Sequence, residues 1–249
     1  MDINSDSKEL SRNVVRLDEA EERMSRQQIR EMADVYSLAV EDMDEKKIIH
    51  PKMRDKNILN VFREIRTKLI KKIGNKNFTL LVTSISEGGG ATFVSTNLAA
   101  SFALDHGKTA LMVDCNIYAP SSDRIIDGPD LGFSDFLQDP SIALEEIIYA
   151  TGIPRLRFVP AGSATEIGPE YYTSFRMTQF LEELHNRYAD RYVILDAPPI
   201  GNTADARILS ELCDFVTIVV PYGMVTSDQV KTAIESVDKE KLVGLIFNN

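Results

Sequence analysis

Several residue types and segments that often point to a function are scarce in this chain. Its 249 residues include no tryptophan, two cysteines and three histidines, and no apolar run approaches the roughly 20 residues that span a bilayer. Cys115 and Cys213 adjoin apolar segments without metal-ligand spacing around them, so we expect buried thiols in a reducing compartment. The start of the chain has no signal-peptide pattern, and we expect a cytoplasmic protein.

Positive charge is also scarce. The chain has 28 Lys and Arg against 38 Asp and Glu, a formal net charge of −10. This overall balance argues against a nucleic-acid partner and against simple electrostatic adhesion to anionic lipid. The hydrophobic share of 43% supports a sizeable core, and the length favours one medium α/β domain with an additional arm.

The most informative stretch runs from Thr79 to Ala100 and reads TLLVTS, ISEGGGAT, FVSTNLAA. An apolar run gives way to serines and glycines, and helical spacing follows, so the pattern predicts a strand, a tight turn and a helix. Gly88, Gly89 and Gly90 permit positive φ and can turn backbone N–H groups inward. Such N–H groups at a helix start favour phosphate, although a turn that binds nothing also fits three adjacent glycines.

This turn lacks one part of a P-loop. A P-loop ends G-K-[ST], with the lysine on the β/γ-phosphates and the hydroxyl on Mg²⁺. Here the sequence is Gly90-Ala91-Thr92, so the hydroxyl is present and the lysine is not. A dinucleotide fingerprint would need glycine at Phe93; because Asp114 lies near the distance expected of a ribose-binding acid, that alternative stays open.

Strand and helix patterns alternate along the rest of the chain. Strands are predicted at 79–84, 109–114, 156–162, 192–196, 215–221 and 242–248. Helices are predicted at 57–72, 92–102, 133–138, 143–150 and 174–188 and before each of the last two strands, with a loop at 168–173. This alternation predicts an α/β domain over residues 56–249, a mostly parallel sheet with helices on both faces.

Residues 1–55 are predicted to form a charged, partly mobile arm. One amphipathic helix is expected within it, packed on the domain or docked on a partner, from apolar residues at helical spacing: Ile29, Met32, Tyr36, Ala39, Val40 and Met43.

Two aspartates end predicted strands, Asp114 and Asp196. Ligands of parallel sheets bind at the carboxyl ends of the strands, where the glycine turn also falls. One hydroxyl and carboxylates beside a phosphate cradle suit Mg²⁺. We therefore expect Thr92, Asp114 and Asp196 to hold the metal, and the two aspartates to carry any catalysis. For either aspartate alone, a solvated strand end or a helix cap is the alternative.

Five segments match motifs of one known family. They are Asn97-Leu98-Ala99; Val113-Asp114-Cys115-Asn116 with Pro120; Ile194-Leu195-Asp196-Ala197-Pro198-Pro199; Thr203-Ala204-Asp205-Ala206; and Phe62-Arg63-Glu64-Ile65-Arg66-Thr67. In these segments the chain resembles the bacterial tyrosine kinases of capsule and exopolysaccharide synthesis, P-loop proteins related to the Min and Par partition ATPases.

The resemblance implies a P-loop NTPase-like fold, a ligand and partners. It implies ATP or ADP with Mg²⁺ at Gly88, Gly89, Gly90, Ala91, Thr92 and Phe93, and homo-oligomer contacts through Asn60, Arg63 and Arg66. It also implies an inner-membrane polysaccharide co-polymerase, a chain-length determinant, as the partner. The chain would then be peripheral at the inner membrane through that partner.

The departures from the family pattern concern the chemistry. Ala91 replaces the P-loop lysine, and Asn116 replaces the second aspartate of the family's second motif. Tyr118 replaces the arginine of that motif, and Asn60 replaces the glutamate of the helix that assembles the ring. The family's C-terminal tyrosine cluster is not found before the last residue. These departures predict a degenerate kinase-like protein that regulates or scaffolds polysaccharide assembly.

Two other functions stay open. One is an active kinase or ATPase that takes its lysine from another element or subunit, with Lys76 and Lys108 as candidates. The other is a partition-type positioning ATPase.

Overall fold

The computed structural model describes residues 37–74, 76–105, 107–120, 125–126, 128–163, 168–187, 191–201 and 203–249. Its helices are α1 (Val40–Glu45), α2 (Lys56–Ile73), α3 (Ala91–Ala103), α4 (Phe133–Gln138), α5 (Gly168–Tyr172), α6 (Phe175–Arg187), α7 (Asp205–Leu212) and α8 (Ser227–Glu235), with a 3-10 turn at Leu144–Ile147. Its strands are β1 (Phe78–Ser84), β2 (Thr109–Asp114), β3 (Tyr149–Ala150), β4 (Leu156–Val159), β5 (Arg191–Asp196), β6 (Phe215–Pro221) and β7 (Leu242–Asn248).

These strands form one sheet in the order β3-β4-β2-β5-β1-β6-β7. Only the short β3 runs antiparallel to its neighbour, β4; the other neighbouring pairs are parallel. The register aligns Val82 of β1 with Asp196 of β5, and Asp196 with Asp114 of β2. The carboxyl ends of three strands therefore meet at one edge.

Apolar side chains form a core on each face of the sheet. Along β1, Leu80 and Val82 belong to the core that α2 and α3 cover, whereas Leu81 belongs to the core on the opposite face. Successive side chains of a strand point to opposite faces, so a fully apolar strand requires cover on both sides. The predicted fold class, a mostly parallel sheet with helices on both faces, is confirmed.

Part of the segment assigned to the N-terminal arm packs on this domain. Ile48 and Ile49 are each 2% exposed and lie in the core formed by α2 and α3. The Ile49 N–H donates to Oδ1 of Asn97 in α3, at 2.7 Å. Helix α1 contains Val40 and Met43 of the predicted amphipathic helix, whose residues from 29 to 36 lie outside the described ranges. The division of the chain at residue 55 stays a prediction.

Two local predictions are wrong. Residues 143–150 form a 3-10 turn followed by β3 instead of a helix, because β-branched and aromatic residues (Ile147, Ile148, Tyr149) favour a strand against β4. Residues 168–172, expected in a loop, form α5. Tyr172 in this helix is fully buried, and its hydroxyl donates to the Cys115 carbonyl at 2.6 Å.

Both cysteines are buried and free, as predicted. Among the helices that the structure describes, none is both long and apolar enough to cross a membrane.

Candidate nucleotide-binding site

The loop between β1 and α3 is shaped by its glycines. Gly88 and Gly90 have φ of 69° and 88°, in the left-handed region that side chains other than glycine disfavour. A Cβ on Gly89 would lie 2.7 Å from Cβ of Ser84, closer than real side chains approach. Gly90 is the N-cap of α3, so the first-turn N–H groups of that helix have no partners within it. The backbone therefore forms a phosphate-type cradle.

An open pocket of about 660 Å³ lies over this cradle. It joins the glycine loop to the ends of β2 and β5 and to the segment before α7. The described residues that line it are Ser84, Glu87, Gly88, Gly89, Gly90, Ala91, Thr92, Phe93, Asn116, Tyr118, Ala119, Pro120, Ala197, Pro198, Pro199, Thr203 and Asp205. All six residues that the sequence assigns to nucleotide binding thus border one cavity. Three of the five matched segments also contribute to its lining, through Asn116 and Pro120, through residues 197–199, and through Thr203 and Asp205.

Neither Asp114 nor Asp196 is among the described residues that line the pocket; both are buried at the carboxyl ends of their strands. They are 0% and 1% exposed, and each is the last residue of its strand. Oδ1 of Asp114 accepts the Asn116 N–H at 3.0 Å, and Oδ1 of Asp196 lies 3.0 Å from the hydroxyl of Ser95 in α3. Burial of a carboxylate is unfavourable unless hydrogen-bond donors compensate for the lost water, and these groups supply such donors. The structure therefore ties both aspartates to polar groups behind the cradle.

Ser95 is a site residue that sequence reasoning missed. Its hydroxyl also lies 2.9 Å from the carbonyl oxygen of Ala91, so it links the start of α3 to β5. The sequence did contain a signal for Ser95. Residues three apart lie on the same side of a helix, and Ser95 follows Thr92 by three. Ser95 orients the Asp196 carboxylate toward α3.

The predicted metal ligands are oxygen donors of the kind that Mg²⁺ prefers. Thr92 lines the pocket, whereas Asp114 and Asp196 are buried at neighbouring strand ends outside its lining. Within the described ranges, no group of three or more His, Cys, Asp and Glu is arranged to hold a metal ion. The metal roles of Thr92, Asp114 and Asp196 remain predictions.

The wall of the pocket is acidic. Its described lining includes the carboxylates of Glu87 and Asp205 but neither lysine nor arginine, and Ala91 occupies the position of the P-loop lysine. Phosphate oxygens placed on this cradle would meet backbone N–H groups and no cationic side chain from that lining. The described lining of this candidate site therefore lacks the positive charge that usually accompanies a phosphate.

Tyr118 occupies the position of the family's arginine and pairs with Asp205. The Tyr118 hydroxyl donates to Oδ1 of Asp205 at 3.1 Å, and Asp205 is 2% exposed at the start of α7. Burial and the negative charge of Asp205 raise the pKa of Tyr118 above its ordinary value. A Cβ on Gly168 would lie 2.3 Å from the Tyr118 hydroxyl, so glycine is needed there. The hydrogen bond between the Tyr118 hydroxyl and the Asp205 carboxylate closes this side of the pocket.

The end of β7 holds the glycine loop from the other side. The Asn248 side-chain amide donates to the Gly89 carbonyl at 3.2 Å, and a Cβ on Gly90 would lie 2.2 Å from the amide nitrogen. Sequence reasoning missed Asn248 because only the strand order brings it beside a loop 159 residues away.

Neither Lys76 nor Lys108, the two candidates to replace the P-loop lysine, lies near the pocket of its own chain. Lys76 precedes β1 by two residues and Lys108 precedes β2 by one, so both lie at the amino ends of these strands. Nζ of Lys108 is 5.6 Å from the ring centroid of Tyr192, near the start of β5. The glycine loop follows the carboxyl end of β1, about 23 Å away along a seven-residue strand. The sequence expectation that either lysine substitutes within one chain is wrong on geometry.

The residues predicted for the oligomer interface lie on α2. Asn60 and Arg63 are exposed, whereas Arg66 is half-buried and donates to the Ser101 carbonyl near the end of α3. Arg66 therefore has a role inside the domain. The interface role of all three residues stays a prediction.

Comparison with known proteins gives relatives in sequence and in structure. The tyrosine-protein kinase CpsD of Streptococcus agalactiae is 31% identical over 206 residues, 81% of this chain and 88% of CpsD. The crystal structure of the chimerical protein CapA2B2 matches with a TM-score of 0.73 and 24% identity, over 86% of this chain and 91% of that one. The cell division ATPase MinD of Pyrococcus furiosus matches with a TM-score of 0.56 and 20% identity, over 69% and 70%. No protein-family model matches the chain.

Proposed function

This chain belongs to the family of bacterial tyrosine-protein kinases, and we propose that it is a degenerate member that regulates or scaffolds capsule or exopolysaccharide biosynthesis and export. The observation that carries the proposal is Ala91, which stands at the lysine position of a pocket whose described lining has acidic side chains and no basic ones.

The missing lysine affects binding first. A hydrogen bond to a charged group contributes about 1.5–3 kcal/mol, so nucleotide affinity falls by roughly 10- to 100-fold without it. Apart from the Gly89 N–H, which donates to the Ser86 carbonyl, the backbone N–H groups from Gly88 to Thr92 would still orient a phosphate, and Pro198 and Pro199 line the pocket beside it. The chain retains a site that binds ATP or ADP weakly.

The loss for catalysis is larger than the loss for binding. Phosphoryl transfer depends on positioning and on neutralising the charge of the transferred group. Mg²⁺, when bound with a nucleotide at Thr92, Asp114 and Asp196, supplies part of that neutralisation. Ala91, Asn116 and Tyr118 supply none of it, because alanine, amide and tyrosine hydroxyl groups carry no charge at neutral pH. We propose that the chain is a pseudokinase.

The proposed partner is an inner-membrane polysaccharide co-polymerase. This step rests on kinship with CpsD and on the likeness to wzc of Salmonella typhi, which is 26% identical over 195 residues, 27% of wzc. The chain would work at the inner membrane as the cytoplasmic element of an export assembly. It would regulate that assembly instead of phosphorylating it.

Incubation of the purified chain with labelled ATP and Mg²⁺ tests the proposal. We expect no phosphotyrosine, alone or with the partner's cytoplasmic segment, whereas CpsD of Streptococcus agalactiae serves as the positive control. Asp196→Ala is the matched negative variant. Phosphotyrosine on the wild-type chain that disappears in Asp196→Ala would show an active kinase and end the proposal.

A further inference from the structure

The net charge of −10 conceals an uneven distribution. Residues 46–76 contain eight lysines, three arginines and only two acidic residues, a formal charge of +9, so the rest of the chain carries −19. This basic segment comprises α2 and the turn before it. The sequence expectation that overall charge disfavours anionic lipid therefore does not apply to this surface, because attraction at a membrane depends on local charge within about 10 Å.

One side of α2 combines cations with exposed apolar side chains. Ile58, Val61, Ile65, Lys68 and Lys72 follow spacings of three and four residues and so form one stripe, the α2 stripe. Ile58 is 42% exposed, Val61 is 53% exposed and the Lys68 side chain is 73% exposed. Lys71 beside the stripe is also exposed. Lys68 pairs with Glu64 at 2.6 Å, and Nζ of Lys72 donates to the carbonyls of Leu242 and Val243, so part of this positive charge is engaged within the domain. Helices that lie on a membrane surface combine exposed apolar side chains with lysines and arginines.

The α2 stripe is separate from the predicted oligomer contact. Val61 and Arg63 are two residues apart, which places them about 200° apart around the helix. The buried side of α2, with Leu59, Phe62 and Leu69, packs on the core. The helix can therefore keep its core contacts and its Arg63 face while the stripe meets another surface.

We propose that the α2 stripe and its neighbouring lysines bind the surface of a membrane rich in anionic phospholipid. Lysine outnumbers arginine in residues 46–76 by eight to three, and lysine is depleted in protein–protein interfaces, where arginine is enriched. The formal charge of −19 on the rest of the chain disfavours a nucleic acid that extends beyond the basic segment. The membrane contact is direct and does not depend on the catalytic state of the pocket.

Cosedimentation of the full chain with vesicles tests this inference. We expect it to pellet with vesicles of phosphatidylcholine and phosphatidylglycerol, to stay in solution with phosphatidylcholine alone, and to be released by added salt. The variant Lys68→Gln/Lys71→Gln should bind about tenfold more weakly or worse. The matched control Lys231→Gln/Lys239→Gln removes two exposed lysines from the acidic remainder and should bind as the wild type does.

A second variant tests the apolar part of the stripe. Ile58→Ser/Val61→Ser changes two exposed side chains, so the fold should persist by circular dichroism while vesicle binding weakens. Equal binding to both vesicle types, no binding, or wild-type binding by the Lys68→Gln/Lys71→Gln variant would overturn the proposal. Salt-sensitive self-association through the same lysines would identify a second copy as the occupant, and tight binding of duplex DNA would identify a nucleic acid; either result also overturns it.

Discussion

At the scale of the residue, Ala91 has the largest chemical consequence. It lies at the start of α3, where a lysine side chain would extend over the glycine cradle. We predict that Ala91→Lys strengthens MgATP binding by roughly 10- to 100-fold, because it restores one charge-assisted hydrogen bond. Isothermal titration calorimetry measures the change.

Ala91→Met is the control for that experiment, since it adds similar length without charge and should leave affinity unchanged. Sub-micromolar MgATP binding by the wild-type chain would show that another group already makes the phosphate contact of the missing lysine. An unchanged affinity in Ala91→Lys would show that the cradle does not hold phosphate.

The two buried thiols predict how stability depends on pH. Burial raises the pKa of Cys115 and of Cys213 above the ordinary value, with Asp214 adding to the shift at Cys213. Both folded-state pKa values exceed the unfolded value, so above that value the unfolded chain loses two protons that the folded chain retains. The unfolding free energy should therefore fall by about 2.7 kcal/mol per pH unit once the pH exceeds about 8.5.

Urea titrations from pH 7 to pH 10 measure that slope, because this range spans the pKa of a free thiol, about 8.5. The double variant Cys115→Ala/Cys213→Ala should have a shallower slope, whatever its stability at neutral pH. A wild-type stability that stays level across this range would contradict the prediction.

At the scale of the element, α3 connects the pocket to the N-terminal segment. Asn97 is 1% exposed; its Oδ1 accepts the Ile49 N–H, and its amide nitrogen donates to the carbonyls of Lys47 and Phe93. We predict that Asn97→Ala lowers the unfolding free energy by about 2–3 kcal/mol, because a buried N–H loses its acceptor and a small cavity forms.

Urea denaturation measures this loss, and Asn186→Ala on the exposed surface of α6 provides the control. A change below about 0.5 kcal/mol, the range of ordinary surface substitutions, would show that residues 47–49 are held by other contacts.

The elements were predictable from sequence where a periodic pattern was long. The strands around Leu80, Met112 and Val193 are continuous apolar runs in a parallel sheet, and α2 has an unbroken apolar face. The short elements α5 and β3 were not predicted, because they take their form from tertiary contacts such as the hydrogen bond from the Tyr172 hydroxyl to the Cys115 carbonyl. In the site, the glycines and aspartates follow from motifs, whereas Ser95 and Asn248 depend on which strands become neighbours.

At the scale of the whole molecule, α2 has two exposed sides with different expected partners. Asn60 and Arg63 are exposed on it, but Asn60 replaces the acid that would pair with an arginine of a neighbouring subunit. Carboxylate–arginine contacts are bidentate and charge-assisted, whereas an amide accepts a weaker bond. An interface of this kind should lose affinity and keep its shape. We therefore expect a monomer or a weak oligomer in dilute solution, and assembly when a membrane or partner concentrates the chain.

Light scattering over a concentration series measures this assembly, and Asn60→Glu should strengthen it by roughly tenfold because it restores a charged acceptor. Asn57→Glu makes the same charge change one turn earlier on α2 and should have no such effect, which separates a specific contact from a change in net charge. Arg63→Ala should abolish the gain in the Asn60→Glu background, since the acid then has no arginine to bind. A stable ring of the wild-type chain at low concentration, insensitive to Arg63→Ala, would place the oligomer contact on another surface and leave α2 to the membrane alone.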